Sequence, residues 1–273
     1  MPFQKANDAE LYYEQRGNGP PLLLIMGATG YGGVFERFAE RLADEFTVVI
    51  YDRRGNGRSP RPPGWYETSP DEQADDAAAL LEGLDLSPAA IFGTSSAGIF
   101  ALAMLIRHPV SVRGAVLHEP ALFSLFDDPK ELRDTLTTLI KGEMEAGGPA
   151  AALEGFIRFA AGDANWESLD PSAQELMLAS AHTYFGIESG AFDTYLPDDE
   201  ALAAIPAPIQ LLVSEGSRPE FAQAAGRLSE RLGIEITQTP GTHFPYLDRP
   251  RELAETVKPF LRGSTLEAAG LSE

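Results

Sequence analysis

Residues 89–98 read AAIFGTSSAG: an apolar run, then glycine, threonine, two adjacent serines, alanine and glycine. A serine hydroxyl in such a place can attack a carbonyl carbon if a base takes its proton and backbone donors hold the oxyanion that forms. The pattern Gly-x-Ser-x-Gly fits neither serine, because Ser95 lies between Gly93 and Ala97, and Ser96 between Thr94 and Gly98. A nucleophile held in a strained strand-to-helix turn needs small residues two before and two after it, where backbones pass closely. Ser95 meets that demand, whereas Ser96 would put the β-branched Thr94 in the tight position. A Thr-Ser-Ser run also suits a helix cap, so the choice of Ser95 depends on its partners.

The candidate bases are four histidines. His108 ends a helical pattern, where a cation suits the helix dipole. His118 precedes Glu119 at a strand end, and strand alternation would send their side chains to opposite faces. His182, in AHTYFG, is either a packing residue or a substrate contact. His243, in PGTHFPYLDRP, lies in a loop between the last strand and the last helix and is the best placed to act as base.

These groups can meet only if the elements around them form a sheet with its strand ends on one side. Apolar runs at 11–13, 22–26, 46–51, 89–92 and 112–117 alternate with helical patterns carrying Val34, Phe38 and Leu42, then 72–84 and 96–107. Strand-helix-strand repetition predicts an α/β core with a mostly parallel central sheet flanked by helices. After Pro120 the strand signals stop for roughly eighty residues, too long for a bare loop. Helical stripes fill the gap, one of Leu132, Leu136, Leu139, Ile140 and Met144, another of Phe156, Phe159 and Ala160. The core resumes with a strand at 209–213, a helix at 219–232, a short strand at 234–237 and a last helix at 249–261. The expected organisation is a core of 1–120 and 204–262, a helical cap of 121–203, and a frayed tail of 263–273.

The segments LLLIMGATG, YDRRGNGRS, GTSSAG, VRGAVLHEP and GTHFPYLDRP together resemble the α/β-hydrolase superfamily in order and spacing, across nearly the whole core. The resemblance implies a triad in the chain order serine, acid, histidine, met here by Ser95, Glu119 and His243. Many members carry the acid a few residues beyond the strand at 209–213, where this chain has Ser217. Others carry it after the preceding strand, where Glu119 stands, and Glu215 is the reserve. The resemblance also implies an oxyanion hole from the N–H groups of Ala28 and Ser96, with Met26 where most relatives have histidine. Met26, Phe123, Trp166, His182 and Phe244 are candidate substrate contacts. The cap aromatics Phe126, Phe156, Phe159, Tyr184, Phe185, Phe192 and Tyr195 supply surface for the cap's own core or for a substrate.

The expected function is a serine hydrolase for an ester or lactone of an apolar small molecule, needing no metal or organic cofactor. Two alternatives keep the fold, a lyase or cofactor-free oxygenase and a ligand-binding receptor. A third takes GATGYGG as a dinucleotide loop with Asp52 as its acidic partner. A formal charge of -20 opposes a nucleic-acid or polybasic membrane surface. The absence of cysteine excludes disulfides and thiolate chemistry. No signal-like or membrane-length apolar run is present, which predicts a cytoplasmic monomer or homodimer acting on a small molecule.

Overall fold

The computed structural model describes residues 2–126 and 130–268. Its strands are β1 (Phe3–Ala6), β2 (Ala9–Arg16), β3 (Pro21–Ile25), β4 (Thr47–Tyr51), β5 (Ala89–Thr94), β6 (Val112–His118), β7 (Ile209–Ser214) and β8 (Ile236–Thr239). They form one sheet in the order β1-β2-β4-β3-β5-β6-β7-β8, antiparallel at β1 and β2 and parallel from β4 to β8. The central strands are apolar along their length because both faces are covered. Leu23, Ile25, Val49 and Ile91 turn to one face and Leu22, Leu24, Val48, Ile50 and Phe92 to the other, each set in its own core.

Helices α1 (Glu36–Leu42), α2 (Pro70–Gly83) and α3 (Ser96–Arg107) connect the strands. Ser69 caps α2 by accepting the Glu72 N–H, with Pro70 next in the first turn. Between β6 and β7 come α4 (Lys130–Ala161), α5 (Asp163–Glu167), α6 (Pro171–Ala179), α7 (Ala181–Thr183), a π-helical turn Tyr184–Glu188, α8 (Ser189–Phe192) and α9 (Asp199–Ala203). Gly148, at φ 75°, and the following Pro149 break α4 into two helical stretches. The chain closes with α10 (Pro219–Leu232), α11 (Pro245–Asp248) and α12 (Pro250–Ala268). Among the described residues no helix is long and apolar enough to cross a membrane.

The structure departs from the sequence reading at three edges. The polar strand β1, FQKA, gives no apolar signal and is made by pairing with β2. The last strand sits two residues later than expected, at Ile236–Thr239. The last helix continues past Leu261 and Gly263 to Ala268, so 263–268 is not a frayed tail, and 269–273 lies outside the described residues. Ser264 explains the extension: it is buried against Gly114 of β6, and its hydroxyl bonds to the Leu261 carbonyl.

Glycines at close contacts set where α3 can lie. A Cβ on Gly98 would meet Pro120 Cβ at 2.6 Å and Cα at 2.8 Å, so α3 and the end of β6 approach only because that side chain is missing. Alanine is the better helix former by roughly 1 kcal/mol, but overpacking costs about 1–3 kcal/mol, and the overlap should win. Gly98→Ala is expected to lower the urea midpoint. Gly226→Ala, in α10 with nothing within 4 Å of its added Cβ, is expected to raise it.

Candidate active site

β5 ends at Thr94 and α3 begins at Ser96, leaving Ser95 alone in the turn at φ 57°, ψ -129°. A non-glycine residue in that region costs on the order of 1–3 kcal/mol, and three backbone bonds hold it there. The Ser95 N–H donates to His118 O at 3.0 Å, while Ser95 O accepts from Gly98 N at 2.9 Å and Ala121 N at 3.1 Å. A Cβ on Gly93 would come within 2.5 Å of Ala97 O, the physical form of the small-residue demand. The Ser95 side chain makes no capping hydrogen bond, so capping does not account for it. The Ser96 hydroxyl is buried without a hydrogen-bond partner among the described residues.

Glu119 follows β6 at φ 43°, a second strained non-glycine residue beside the first. It is fully buried, and both of its oxygens are occupied: Oε1 accepts the Ser214 N–H at 2.8 Å, and Oε2 is hydrogen-bonded to His243 Nδ1. Burial alone would raise its pKa, but the His118 and His243 imidazoles and the Ser214 amide reverse this and hold it at about 2. His118, also fully buried, bridges Thr94 Oγ1 at 2.8 Å and Ser214 Oγ at 3.0 Å, and burial pushes it down to about 4. It is therefore neutral at pH 7. Strand alternation does not separate it from Glu119, for its Nε2 lies 3.6 Å from Glu119 Oε1. The positive φ at Glu119 breaks the alternation.

His243 arrives from the loop after β8, and its ring stacks on Phe221 at 3.9 Å between centroids. Glu215, the reserve acid, is exposed, and Nδ1 of His243 is taken by Glu119. Ser217 only turns its hydroxyl to the Arg218 carbonyl. His182 is exposed, and His108 pairs with Asp75.

The loop after β3 approaches from the other side. A Cβ on Gly27 would stand 3.1 Å from both Ser95 Cβ and Ser96 Oγ, so the bare glycine lets the loop sit against the serines. Among the described residues neither the Ala28 nor the Ser96 N–H is taken by a backbone carbonyl. In the glycine-rich stretch the Gly30 N–H is turned to Gly27 O and the Gly32 N–H to Asp52 Oδ1, and Asp52 is buried under Arg58.

Ala28, Ser95 and Ser96 form the floor of a cavity of about 220 Å³. Its walls come from Ile99, Phe123 and Phe221 and, from the inserted helices, Leu136, Ile140, Phe156, Tyr184, Phe185 and Phe192. Of the residues read as substrate contacts, Phe123 lines it. Met26, Trp166 and Phe244 are instead packed in the core on the α1 and α12 side, and His182 faces away to solvent. Phe126, Phe159 and Tyr195 also stay off the wall. Leu136 and Ile140 serve the cavity rather than a helix core, while the Leu132 side chain lies outside the described residues. A helical stripe looks the same in sequence whether it faces a core or a cavity. Among the described residues no group of three or more histidine, aspartate or glutamate side chains is placed to hold a metal.

A sequence model described as alpha/beta hydrolase fold matches residues 20–143. The chain is 29% identical over 260 residues, 93% of each chain, to the uncharacterized hydrolase YraK of Bacillus subtilis. It is 25% identical to a zearalenone hydrolase of Bionectria ochroleuca, covering 92% of this chain and 93% of that protein. A thermophilic esterase from Thermogutta terrifontis shares the fold with a TM-score of 0.74 at 23% identity, covering 94% of each chain.

The buried carboxylate makes stability depend on pH in a definite direction. Glu119 titrates near 2 in the folded chain against an ordinary 4.5, so its contribution is complete above about pH 4.5 and is lost as pH falls towards 2. His118, depressed from 6.5 to about 4, adds an earlier loss with the same sign between those values. Glu119→Gln is expected to be less stable than wild type above pH 5. That gap should narrow steadily below pH 4.5 in urea titrations; a gap independent of pH would contradict the depressed carboxylate.

Proposed function

We propose that this chain, a hydrolase of the α/β-hydrolase superfamily, cleaves a carboxylic ester or lactone of an apolar small molecule through an acyl-enzyme on Ser95. The observation that carries the reading is the buried Glu119–His243 hydrogen bond at a strand end whose backbone also holds Ser95, a serine at positive φ on the floor of an apolar cavity. With Nδ1 bound to Glu119, His243 has Nε2 left to take the Ser95 proton as the hydroxyl attacks the carbonyl carbon. The carbonyl oxygen becomes an oxyanion, held by the Ala28 and Ser96 N–H groups. His243 then returns its proton to the leaving alkoxide, and the ester C–O bond breaks. Water, deprotonated by His243, attacks the acyl-enzyme, releasing the acid and restoring Ser95.

Glu119 stabilises the imidazolium that appears twice in this cycle. Its low pKa keeps it charged throughout, so it orients His243 without itself taking the proton. The segment 121–203 acts as a cap over the core of 1–120 and 204–262, supplying the aromatic wall that selects apolar acyl or alcohol groups. The names of the relatives, a zearalenone hydrolase and an esterase among them, agree with chemistry of this class.

With p-nitrophenyl butyrate, wild type is expected to release a burst of p-nitrophenol equal to the enzyme present, followed by steady turnover. Ser95→Ala should lose the burst and about 10⁴–10⁶-fold in kcat. Ser96→Ala, which keeps its backbone N–H, should stay within about tenfold of wild type. Turnover unchanged in Ser95→Ala would overturn the reading, and a panel of esters and lactones on the same two proteins ranks the substrate class.

A further inference from the structure

We infer that Arg53 is a positioning residue for the oxyanion loop, and that Glu188 of the inserted helices holds it in place. The inference rests on the ester-hydrolase reading for its catalytic consequence, but not for its geometry. Arg53 is buried in the turn after β4, and its guanidinium has no solvent to satisfy it. Nε donates to Met26 O at 2.9 Å, Nη2 to Gly27 O at 2.9 Å, and Nη1 to Gln73 Oε1 at 3.0 Å. Both Nη atoms also reach the carboxylate of Glu188, which is itself fully buried and takes a further bond from Asn56 Nδ2 at 2.9 Å.

The Gly27 carbonyl matters because it belongs to the same peptide unit as the Ala28 N–H. That unit is trans, so the two groups point in opposite directions across one rigid plane. Arg53 and the Gly30 N–H, each at 2.9 Å, both hold the carbonyl, and neither residue lines the cavity that Ala28 does. The Ala28 N–H is thereby aimed at the cavity floor it shares with Ser95 and Ser96. A glycine on one side of this peptide makes rotation sterically easy, so the plane stays fixed only if its carbonyl is anchored. Arginine suits the task, since its fork can bind two successive carbonyls and a carboxylate at once.

Glu188 ends the π-helical turn that carries Tyr184 and Phe185 into the cavity wall, and Phe192 of that wall lies under the Arg53 guanidinium at 5.8 Å. The wall that meets the substrate and the loop that meets the oxyanion are therefore joined through one ion pair. Removing either charge strands the other in the interior, so single deletions are poor tests.

The double variant Arg53→Met/Glu188→Leu removes both charges at similar volume, and Arg53→Lys keeps the charge while losing the fork. Hydrogen exchange at the Gly30 amide reports on the Gly27 carbonyl without any reference to chemistry. In both variants, once folded cooperatively, Gly30 exchange should rise at least tenfold. The kcat on p-nitrophenyl butyrate should fall about 10²–10³-fold, the effect of losing one oxyanion donor, with KM within about threefold. A trifluoromethyl ketone, which forms the tetrahedral adduct, should weaken by the same factor as kcat/KM. Unchanged Gly30 exchange, unchanged kcat, or a rise in KM alone would each overturn the inference. Failure of the ester-hydrolase reading would show separately, as turnover indifferent to Ser95→Ala, while Gly30 exchange would still report on the clamp.

Discussion

A carboxylate cut off from water must find a donor for each oxygen, and the site is organised around how Glu119 does so. One oxygen takes the N–H of Ser214, the last residue of β7, and the other takes the imidazole from the loop after β8. Three successive strand ends are thus brought to one point by a single side chain. The residues one before and two after Glu119 grip the serine turn as well: His118 O accepts the Ser95 N–H, and Ala121 N–H donates to Ser95 O. The strain at Ser95 and at Glu119 is held by one shared set of bonds. Loosening the end of β6 would release Ser95, Glu119 and His243 together.

Two imidazoles flank that one carboxylate, and they have different fates. His118 is closed between Thr94 and Ser214 with no exposure, and burial keeps it neutral at pH 7. A charged His118 would compete with His243 for Glu119. Holding His118 neutral leaves the carboxylate's charge for His243. The cost is acid sensitivity, since both His118 and Glu119 favour unfolding once the medium can protonate them.

The core was legible because its signals are local and repeated. Apolar runs such as LLLI and TVVIY can be little other than buried parallel strands, and Gly93 and Ala97 mark a turn that bulkier residues could not make. Glu119 was legible as a carboxylate just past the end of a strand. The wall of the cavity was not. Trp166 and Phe244 look like contacts by type, yet they fill the core, whereas Leu136 and Ile140 look like core by spacing, yet they line the cavity. Which face of a helix meets a cavity depends on how elements distant in sequence pack, and periodicity carries no record of that. The far end of α12 was hidden for the same reason: Ser264 is held by Gly114, a hundred and more residues away.

Arg53 and Glu188 were hidden more deeply, because YDRRGNGRS reads only as a segment of the family resemblance and Glu188 as one acid among many in a chain of charge -20. Burying such a pair rarely adds stability, since desolvation of both ions offsets most of their attraction. Its value lies in direction. A guanidinium fixes two carbonyls and a carboxylate in a single plane, which an apolar contact cannot do. On the proposed reading the pair sits where orientation matters, between the loop that carries the Ala28 N–H and the turn that carries Tyr184 and Phe185 into the cavity wall. The inserted helices consequently cannot be treated as an interchangeable cover. A different insertion on the same core would have to bring its own carboxylate to Arg53, or leave a buried cation unpaired beside the peptide that faces Ser95.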